Sequence, residues 1–215
     1  MLVRKAKSRG KLRVAASEND AGRGAAERAA QSRVLRIVGG RHRGRRLQFP
    51  AGVEIRPTPD RVRETLFNWL QPRMAGARVL DLFAGSGALG LEALSRGAAH
   101  VSFVERSPRA ADAIEAVARD WRETSLSVIG ADALQWLERR TSADLPFDIV
   151  FLDPPYDADL LSAAAAALAR SGALAPDARI YLERRARDEL PVLPESWKEL
   201  RAGRAGEVGY HLFAT

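Results

Sequence analysis

Two short stretches of this chain combine acidic, glycine and aromatic residues in patterns that are typical of ligand-binding loops. The sequence Asp-Leu-Phe-Ala-Gly-Ser-Gly occupies residues 81–87, and Asp-Pro-Pro-Tyr occupies residues 153–156. Each follows an apolar run of the kind that forms a buried strand, residues 77–80 and 147–152 respectively. The first stretch predicts a glycine turn that enters a helix. The second predicts a rigid loop with a carboxylate at one end and an aromatic ring at the other.

The glycine turn predicts a ligand site at the end of a strand. Gly85, Gly87 and Gly90 follow a G-x-G-x-x-G spacing between a predicted strand and a predicted helix. Such a turn lets a ligand approach the backbone, and the helix N-terminus offers free amides to a carboxylate or phosphate. Alone, the spacing also fits an NAD enzyme or a simple tight turn. Asp81, at the strand end, would repel a pyrophosphate but suits a ligand that carries an amine.

Acidic residues at the next two strand ends favour a nucleoside ligand. Glu105 ends the second strand, where a carboxylate can accept both hydroxyls of a ribose. Asp132 and Ala133 follow the third strand, where an adenine can lie, although Asp132 fits the N-cap of the next helix at least as well. S-adenosylmethionine combines a sulfonium, an amine, a carboxylate, a ribose and adenine. This set of side chains therefore favours S-adenosylmethionine over NAD.

The Asp-Pro-Pro-Tyr loop predicts an acceptor site for an exocyclic amine. Its prolines fix the backbone and remove two amide donors, which leaves the Asp153 carboxylate and the Pro154 carbonyl as acceptors. Two acceptors on the hydrogens of a base NH2 would localise the nitrogen lone pair, and the Tyr156 ring can stack on a displaced base. Attack on a sulfonium methyl is then an in-line displacement that depends on positioning. The alternative is a loop whose Asp153 only caps the next helix.

Alternating strands and helices would bring these residues together. The apolar pattern predicts strands over residues 78–82, 100–105, 126–129, 147–152 and 178–183. It predicts helices between them, over residues 88–96, 108–121, 131–139 and 158–170. Repeated βα units require a mostly parallel sheet with helices on both faces, to which residues 197–202 and 207–213 could add an antiparallel edge. Ligands bind at the carboxyl ends of such strands, so both stretches should share one crevice.

The segment before this sheet predicts a small basic hairpin. Residues 34–38 and 41–49 have β-type composition around a Gly-Gly pair, with five arginines between residues 36 and 46. These arginines could contact phosphates, and a solvated edge that discourages aggregation is the alternative. Further on, Thr58 predicts a helix N-cap, with Pro59 at the first helical position, and Pro72 ends that helix.

Composition limits the class of protein. The chain has 215 residues, 46% of them apolar, and no cysteine, which excludes disulfides, thiolate metal sites and a cysteine nucleophile. No apolar run reaches the roughly 18 residues of a membrane span, and no signal peptide is evident, so we expect a soluble cytoplasmic protein. Residues 1–46 carry 14 of the 34 Lys and Arg but only 3 of the 27 Asp and Glu. This basic N-terminal segment predicts either a polyanion partner or a solubilising tail.

Several motifs together resemble the bacterial 16S ribosomal RNA guanine-N2 methyltransferase family. They are Arg-Ile-Val-Gly-Gly at residues 36–40, Arg-Gly-Arg at 43–45, Arg-Pro-Thr at 56–58, the helix sequence at 60–70, and residues 81–90 and 153–156. The likeness spans residues 34–215, and the part from residue 56 to residue 68 is the most specific. It implies a Rossmann-like class I methyltransferase fold, with a mostly parallel seven-stranded α/β sheet, an antiparallel edge and an N-terminal hairpin extension.

The resemblance also implies a reaction and its residues. The methyl group of S-adenosylmethionine would go to N2 of one guanine, the family target guanine 966, in 16S rRNA within a 30S subunit or an assembly intermediate. The resemblance places three residues at the target base: Asp153, Pro154 and Tyr156. At the cofactor it places Asp81, Phe83, Ala84, Gly85, Gly87, Glu105, Asp132 and Ala133. Residues 56–61 would close over the methionine end through Thr58 and Arg61. Apart from the resemblance, the charge of the hairpin predicts that Arg41, Arg43, Arg45 and Arg46 hold the RNA.

The domain organisation follows from these interpretations. We expect a disordered basic tail over residues 1–33, an extension over residues 34–72 and the methyltransferase domain over residues 73–215. The tail departs from the family pattern, and no role is transferred to it. We expect a monomer that needs no metal and no membrane. Two alternatives stay open: an adenine-N6 DNA methyltransferase, since the loop serves any exocyclic amine, and a non-catalytic RNA-binding assembly factor.

Overall fold

A computed structural model describes residues 34–48, 58–141, 143–155 and 158–215 of the chain. The nine strands of the described residues are β1 Val34–Arg36, β2 Arg46–Gln48, β3 Arg78–Asp81, β4 His100–Val104, β5 Leu126–Ile129, β6 Phe147–Leu152, β7 Leu174–Arg185, β8 Lys198–Ala205 and β9 Val208–Ala214. Their five helices are α1 Asp60–Met74, α2 Ala88–Ser95, α3 Pro108–Trp121, α4 Ala133–Glu138 and α5 Ala158–Arg170. The expected tail and Tyr156 lie outside the described residues.

Seven strands form the central sheet, in the order β5-β4-β3-β6-β7-β9-β8. The first five are parallel, whereas β9 runs antiparallel to both β7 and β8. The predicted mostly parallel α/β sheet with an antiparallel edge is therefore confirmed. The strand order reverses between β3 and β6, and such a switch point opens a crevice at the carboxyl ends of the strands.

Helices cover both faces of the sheet. On one face, α1, α2 and α3 bury apolar side chains against the sheet, with Leu66, Leu91 and Ile114 among those almost completely buried. On the other face, α4 and α5 do the same through Leu137 and Leu168. Because both faces of the sheet are covered, the central strands are continuous apolar runs in the sequence rather than alternating ones.

The hairpin is shorter than its sequence predicts. β1 and β2 pair as a separate two-stranded sheet, but residues 41–44 form a turn instead of the start of the second strand. The turn is held against α2, since the Arg41 amide donates to the Ser95 carbonyl at 2.8 Å and the His42 amide to Ser95 Oγ at 2.9 Å. Tertiary contacts with α2 have replaced the local β preference.

A fully buried carboxylate, Glu92, anchors the hairpin to α2. Its oxygens accept from the amides of Val38 and Gly39 at 2.7 and 2.8 Å and from Arg96 Nε at 2.7 Å. Arg63 of α1, also fully buried, lies 3.9 Å from the same carboxylate. The hairpin, α1 and α2 therefore meet at one charged centre inside the protein.

Two details of α1 differ from the prediction. The helix begins at Asp60 with Pro59 as its N-cap residue, so Thr58 is not the cap, and its hydroxyl bonds elsewhere. The helix also continues through Pro72 to Met74, whose side chain is almost completely buried. A proline removes only one hydrogen bond in the last turn, and the packing of Met74 keeps that turn helical.

The remaining differences concern element boundaries. The helix predicted from residue 131 begins at Ala133, because the Asp132 side chain caps it. β7 is twice as long as its predicted strand, since it begins at Leu174, which pairs with Phe147 of β6, and its pairing with β9 continues to Arg185. None of the helices in the described part of the chain combines the length and apolarity that a membrane crossing needs.

Candidate functional site

A cavity of about 660 Å³ opens at the carboxyl ends of β3, β4, β5 and β6 and reaches Glu183 of β7. Most of the predicted site residues line it: Thr58, Asp81, Phe83, Ala84, Gly85, Glu105, Asp132, Ala133, Asp153 and Pro154. The glycine turn and the Asp-Pro-Pro loop thus face the same space. Gly87 and Arg61 do not line the cavity, and Tyr156 lies outside the described residues.

The glycines of the turn meet different needs. Gly85 has a φ of +51°, and a Cβ there would meet no atom closer than 3.9 Å, so the backbone conformation rather than a clash favours glycine. A Cβ on Gly87 would lie 2.9 Å from the Ile114 side chain, and one on Gly90 would lie 2.2 Å from the Phe103 ring. Gly87, with a φ of +69°, therefore meets both needs, whereas Gly90 serves the packing of α2 against β4.

Asp81 presents a buried carboxyl at the start of the turn. Its side chain is almost completely buried and accepts from the Gly90 amide at 3.0 Å. Burial raises the pKa of Asp81 to about 7; the Gly90 hydrogen bond opposes this rise and the nearby Glu105 adds to it. A positive charge placed next to the Asp81 carboxyl would lower its pKa again and form an ion pair with the ionised group.

Glu105 holds the turn in shape. Its two oxygens accept from the amides of Gly85 and Ser107, each at 2.7 Å, so the carboxylate bridges the turn after β3 and the segment after β4. A carboxylate offers about four acceptor positions. Glu105 can therefore orient these two loops and still face a hydroxyl-bearing ligand in the cavity, as its place on the cavity wall allows.

Asp132 is the N-cap of α4. Its Oδ1 accepts from the amides of Leu134 and Gln135, both at 3.1 Å, while the residue itself is exposed at the cavity edge. The capping alternative is therefore what the geometry shows. The contact between this residue and an adenine stays a prediction.

The Asp-Pro-Pro loop follows β6, the neighbour of β3 across the switch point. Asp153 is half-buried, Pro154 is buried and Pro155 is exposed. The register pairs Asp81 with Phe151, so the two loops leave adjacent strands at the same edge of the sheet. The cavity can therefore hold two groups side by side, one near Asp81 and Glu105 and one near Asp153.

Glu183 completes the cavity wall and was not predicted. This almost completely buried carboxylate ends the core of β7, and its Oε1 accepts from the Thr58 hydroxyl at 2.7 Å and the Tyr181 hydroxyl at 2.8 Å. Burial and the Glu183 charge raise the pKa of Tyr181 well above its ordinary value, so Tyr181 remains a donor. The sequence signal that could have identified Glu183 is its position as the acidic last residue of the predicted strand 178–183.

The hairpin arginines lie away from the cavity. Arg41 Nη2 is 2.7 Å from Glu123, and Arg45 lies over the Trp121 ring and 3.7 Å from Asp120, all at the C-terminal end of α3. The cavity instead contacts the N-terminal end of α3. Arg43 and Arg46 are exposed, and no ion pair joins either of them to another described residue. Their contact with RNA stays a prediction.

Metal-ligating side chains do not cluster in the described part of the chain. Within the residues that the structure describes, no three or more His, Cys, Asp or Glu side chains are arranged to hold a metal ion. The acidic groups of the cavity instead bond to backbone amides and hydroxyls, as described for Asp81, Glu105 and Glu183.

Comparison with known proteins identifies close relatives. Residues 35–214 match the family described as conserved hypothetical protein 95. The ribosomal RNA small subunit methyltransferase D of Escherichia coli strain K12 is 41% identical over 179 residues, which cover 83% of this chain and 89% of that protein. The protein of the same name from Haemophilus influenzae is 39% identical over 181 residues, with 83% and 93% covered.

Solved structures share the fold. The Escherichia coli protein yhhF superposes with a TM-score of 0.77 at 40% identity, covering 84% of this chain and 97% of that one. A Thermus thermophilus 16S rRNA N2 G1207 methyltransferase, solved with AdoMet and guanosine, superposes with a TM-score of 0.62 at 23% identity. That comparison covers 84% of this chain and 49% of the other, and it supports the fold alone.

Proposed function

Because this chain belongs to the conserved hypothetical protein 95 family and to the ribosomal RNA small subunit methyltransferase D proteins, we propose that it is an rRNA methyltransferase. The observation that carries the proposal is the shared cavity. One part of it offers groups for a nucleoside with an amine, and the other offers acceptors for the amine of a base. Methyl transfer requires both ligands side by side.

The first ligand would be S-adenosylmethionine. Asp81 would bind its amino group, since this buried carboxyl gains from a cation, and Glu105 would accept from its ribose hydroxyls. Asp132 and Ala133 would border its adenine, with Phe83, Ala84, Gly85 and Gly87 shaping the turn around it. Thr58 and Arg61 would lie towards its methionine end. When bound, this cofactor supplies an activated methyl group on a sulfonium.

The second ligand would be a guanine of 16S rRNA, and its N2 amine would accept the methyl group. The finer target, guanine 966, follows from the family resemblance of the sequence. Asp153 and the Pro154 carbonyl would accept the two N2 hydrogens, and Tyr156 would stack on the displaced base. The N2 lone pair then points along the line of attack.

Charge balance assigns a further task to Asp153. As the N–C bond forms and the S–C bond breaks, the N2 nitrogen becomes positively charged and must lose a proton. The Asp153 carboxylate stabilises that charge and accepts or relays the proton to solvent. Among the described residues no histidine lines the cavity, so the carboxylate takes the place of a histidine base.

The organisation of the chain fits this function. We propose that residues 34–72 form an extension and residues 73–215 the methyltransferase domain, with the basic tail over residues 1–33 as a separate segment. The enzyme would act as a cytoplasmic monomer on the 30S subunit or an assembly intermediate. Arg41, Arg43, Arg45 and Arg46 would face the RNA backbone.

A nucleoside assay tests the proposal. The purified protein is incubated with methyl-labelled S-adenosylmethionine and 30S particles from cells that lack the gene, and the rRNA is digested to nucleosides. We expect label in N2-methylguanosine alone, and an Asp153→Ala variant should lose this turnover while its RNA affinity changes only a few-fold. Label in N6-methyladenosine, or strong activity on duplex DNA, would favour the adenine-N6 alternative instead. Unchanged turnover in Asp153→Ala would refute the catalytic role.

A further inference from the structure

Glu183 lines the cavity but has no role in the methyl transfer proposed above. Its carboxylate is almost completely buried yet lines the cavity, and the hydroxyls of Thr58 and Tyr181 both donate to its Oε1. Burying a carboxylate is costly unless it is hydrogen-bonded. A buried acid at a ligand cavity, maintained by two donors, calls for a functional explanation.

Asp153 directly follows β6, and Glu183 lies on the neighbouring strand β7 at the same level of the sheet. The parallel register of β6 and β7 pairs Leu152 with Leu182, so the two acids follow directly after paired residues. Both line the cavity, and the charge of Asp153 acts on Tyr181, the partner of Glu183. An amine held by Asp153 would therefore have the Glu183 carboxylate beside it.

The atom next to the reacting amine distinguishes the two amino purines. In guanine, N2–H2 lies beside N1–H, so two neighbouring groups are donors. In adenine, N6–H2 lies beside N1, which carries a lone pair and accepts. A carboxylate is an acceptor when ionised. It pairs with the N1–H of guanine and repels the N1 lone pair of adenine.

We propose that Glu183 accepts the N1–H of the target base and thereby selects guanine over adenine, an inference that rests on the proposed function. The two hydroxyl donors support this role, because both already use the carboxyl group as a hydrogen-bond acceptor, which is the role that the N1–H of guanine requires. They also orient the group, since both bond to the same oxygen, Oε1. Asp153 activates the amine, and Glu183 recognises the atom beside it.

A base analogue separates these two tasks. 2-Aminopurine keeps the 2-amine but carries a lone pair at N1 instead of N1–H. Synthetic RNA with either guanine or 2-aminopurine at the methylated position is ligated into 16S rRNA and assembled into 30S particles. We expect the wild-type enzyme to methylate guanine at least about 100-fold faster in kcat/KM, because a site built to bond a donor rejects an analogue that lacks it. Equal rates on both bases would overturn the proposal without any variant.

The Glu183→Gln variant tests the residue itself. The hydroxyls of Thr58 and Tyr181 can still donate to the glutamine oxygen, which leaves the NH2 group as a donor for the N1 lone pair of 2-aminopurine. We expect kcat/KM on guanine to fall about 100-fold and the guanine preference to drop below about tenfold. The missing O6 of 2-aminopurine affects both enzymes equally, so the change in preference isolates Glu183.

Matched variants exclude a purely structural role. Thr58→Val and Tyr181→Phe each remove one hydroxyl but keep the carboxylate, so we expect lower rates with the guanine preference kept within about threefold of the wild type. A Glu183→Gln enzyme that binds S-adenosylhomocysteine normally but keeps the wild-type preference would overturn the proposal. Failure of the wild type to form N2-methylguanosine would instead overturn the proposed function itself.

Discussion

Among the individual residues, Asp81 makes the ligand-free protein sensitive to pH. Burial raises the pKa of Asp81 from 3.8 to about 7 in the folded state, whereas the unfolded chain keeps the ordinary value. The folded protein therefore binds more protons between these two values, and its free energy of unfolding falls as the pH rises from about 4 to about 7. The loss is on the order of a few kcal/mol.

We expect Asp81→Asn to remove this contribution to the pH dependence. Urea titrations without ligand at pH 5 and pH 8 should show a smaller difference in unfolding free energy for the variant than for the wild type. The reason is that the amide does not ionise and stays hydrogen-bonded near Gly90. An identical pH profile in both proteins would show that Asp81 does not carry the shifted pKa.

The Asp81 carboxyl should also make the affinity for the cofactor rise with pH, whereas the free energy of unfolding falls. An ammonium group pairs with the ionised form of Asp81, which is a minor species below its pKa of about 7. The affinity for S-adenosylhomocysteine, measured by calorimetry, should therefore rise about tenfold between pH 6 and pH 8 and then level off. In Asp81→Asn the affinity should be low and independent of pH over this range. A flat wild-type profile would contradict the amine contact.

The capping role of Asp132 can be measured without any ligand. Since its Oδ1 accepts from two amides of α4, Asp132→Ala should lower the unfolding free energy by about 1 kcal/mol. Asp132→Asn should stay within a few tenths of a kcal/mol of the wild type, because asparagine caps equally well. Denaturant titration of both variants checks this. An unchanged unfolding free energy in Asp132→Ala would show that the cap contributes little.

Most cavity residues are predictable from the sequence because they follow strand ends. Asp81, Glu105, Asp132 and Asp153 each lie at the end of a predicted strand or within three residues after it, so the βα pattern alone puts them at one edge. Glu183 also ends such a strand, but its meaning depends on Thr58, which is 125 residues away in the chain. Local patterns carry no information about a contact of that separation.

Among the secondary-structure elements, the docking of the hairpin on α2 depends on one glycine. Gly40 has a φ of +76°, and a Cβ there would lie 1.9 Å from the Ser95 carbonyl oxygen, a backbone atom that cannot easily move. Gly44 has a similar φ of +84° but nothing within 4 Å of the same position. The two glycines therefore form a matched pair, equal in backbone conformation and different in contact.

We expect Gly40→Ala to cost about 3 kcal/mol or more, the sum of left-handed strain and a steric clash. Gly44→Ala should cost only about 1 kcal/mol, because strain acts alone. Chemical denaturation measures both, and hydrogen exchange of the Val38 and Gly39 amides reports whether the hairpin stays on Glu92. Similar stability of the two variants would mean that the hairpin does not dock as described.

Element boundaries are predictable where the chain itself ends an element, and not where a distant contact does. α3 and β6 match their predicted bounds, since turn residues flank both. The predicted start of the second hairpin strand is too early, because Ser95 and Glu92 hold the residues before it in a turn. Pro72 predicts a helix end, yet the burial of Met74 extends the helix past it.

For the molecule as a whole, the predicted RNA contacts are far from the reaction. The cavity touches the N-terminal end of α3, whereas Arg41 and Arg45 lie at its C-terminal end. The helix has 14 residues, which corresponds to a length of about 21 Å at 1.5 Å per residue. A partner that contacts both places must therefore span at least about 20 Å of the protein surface.

The hairpin arginines should contribute unequally to this binding. Arg41 and Arg45 already face Glu123 and Asp120, so their charge is partly neutralised within the protein. Each arginine that neutralises a phosphate adds about 0.7 to 0.9 to the slope of log affinity against log salt. Arg43 and Arg46 are exposed, and among the described residues neither has an ion-pair partner. Removing them should therefore change the slope more than removing the paired arginines does.

Two double variants of equal charge test this difference. The Arg43→Ala, Arg46→Ala protein should lower the magnitude of the salt slope by about 1.5, whereas the Arg41→Ala, Arg45→Ala protein should lower it by less than about 0.7. Both slopes can be measured by filter binding to 30S particles at salt concentrations of about 50 to 300 mM, a range that includes physiological ionic strength. Both pairs remove two positive charges, so a non-specific effect of net charge would change the slopes equally. Slopes that equal the wild-type slope in both variants would place the RNA contact elsewhere on the molecule and leave the hairpin a structural role.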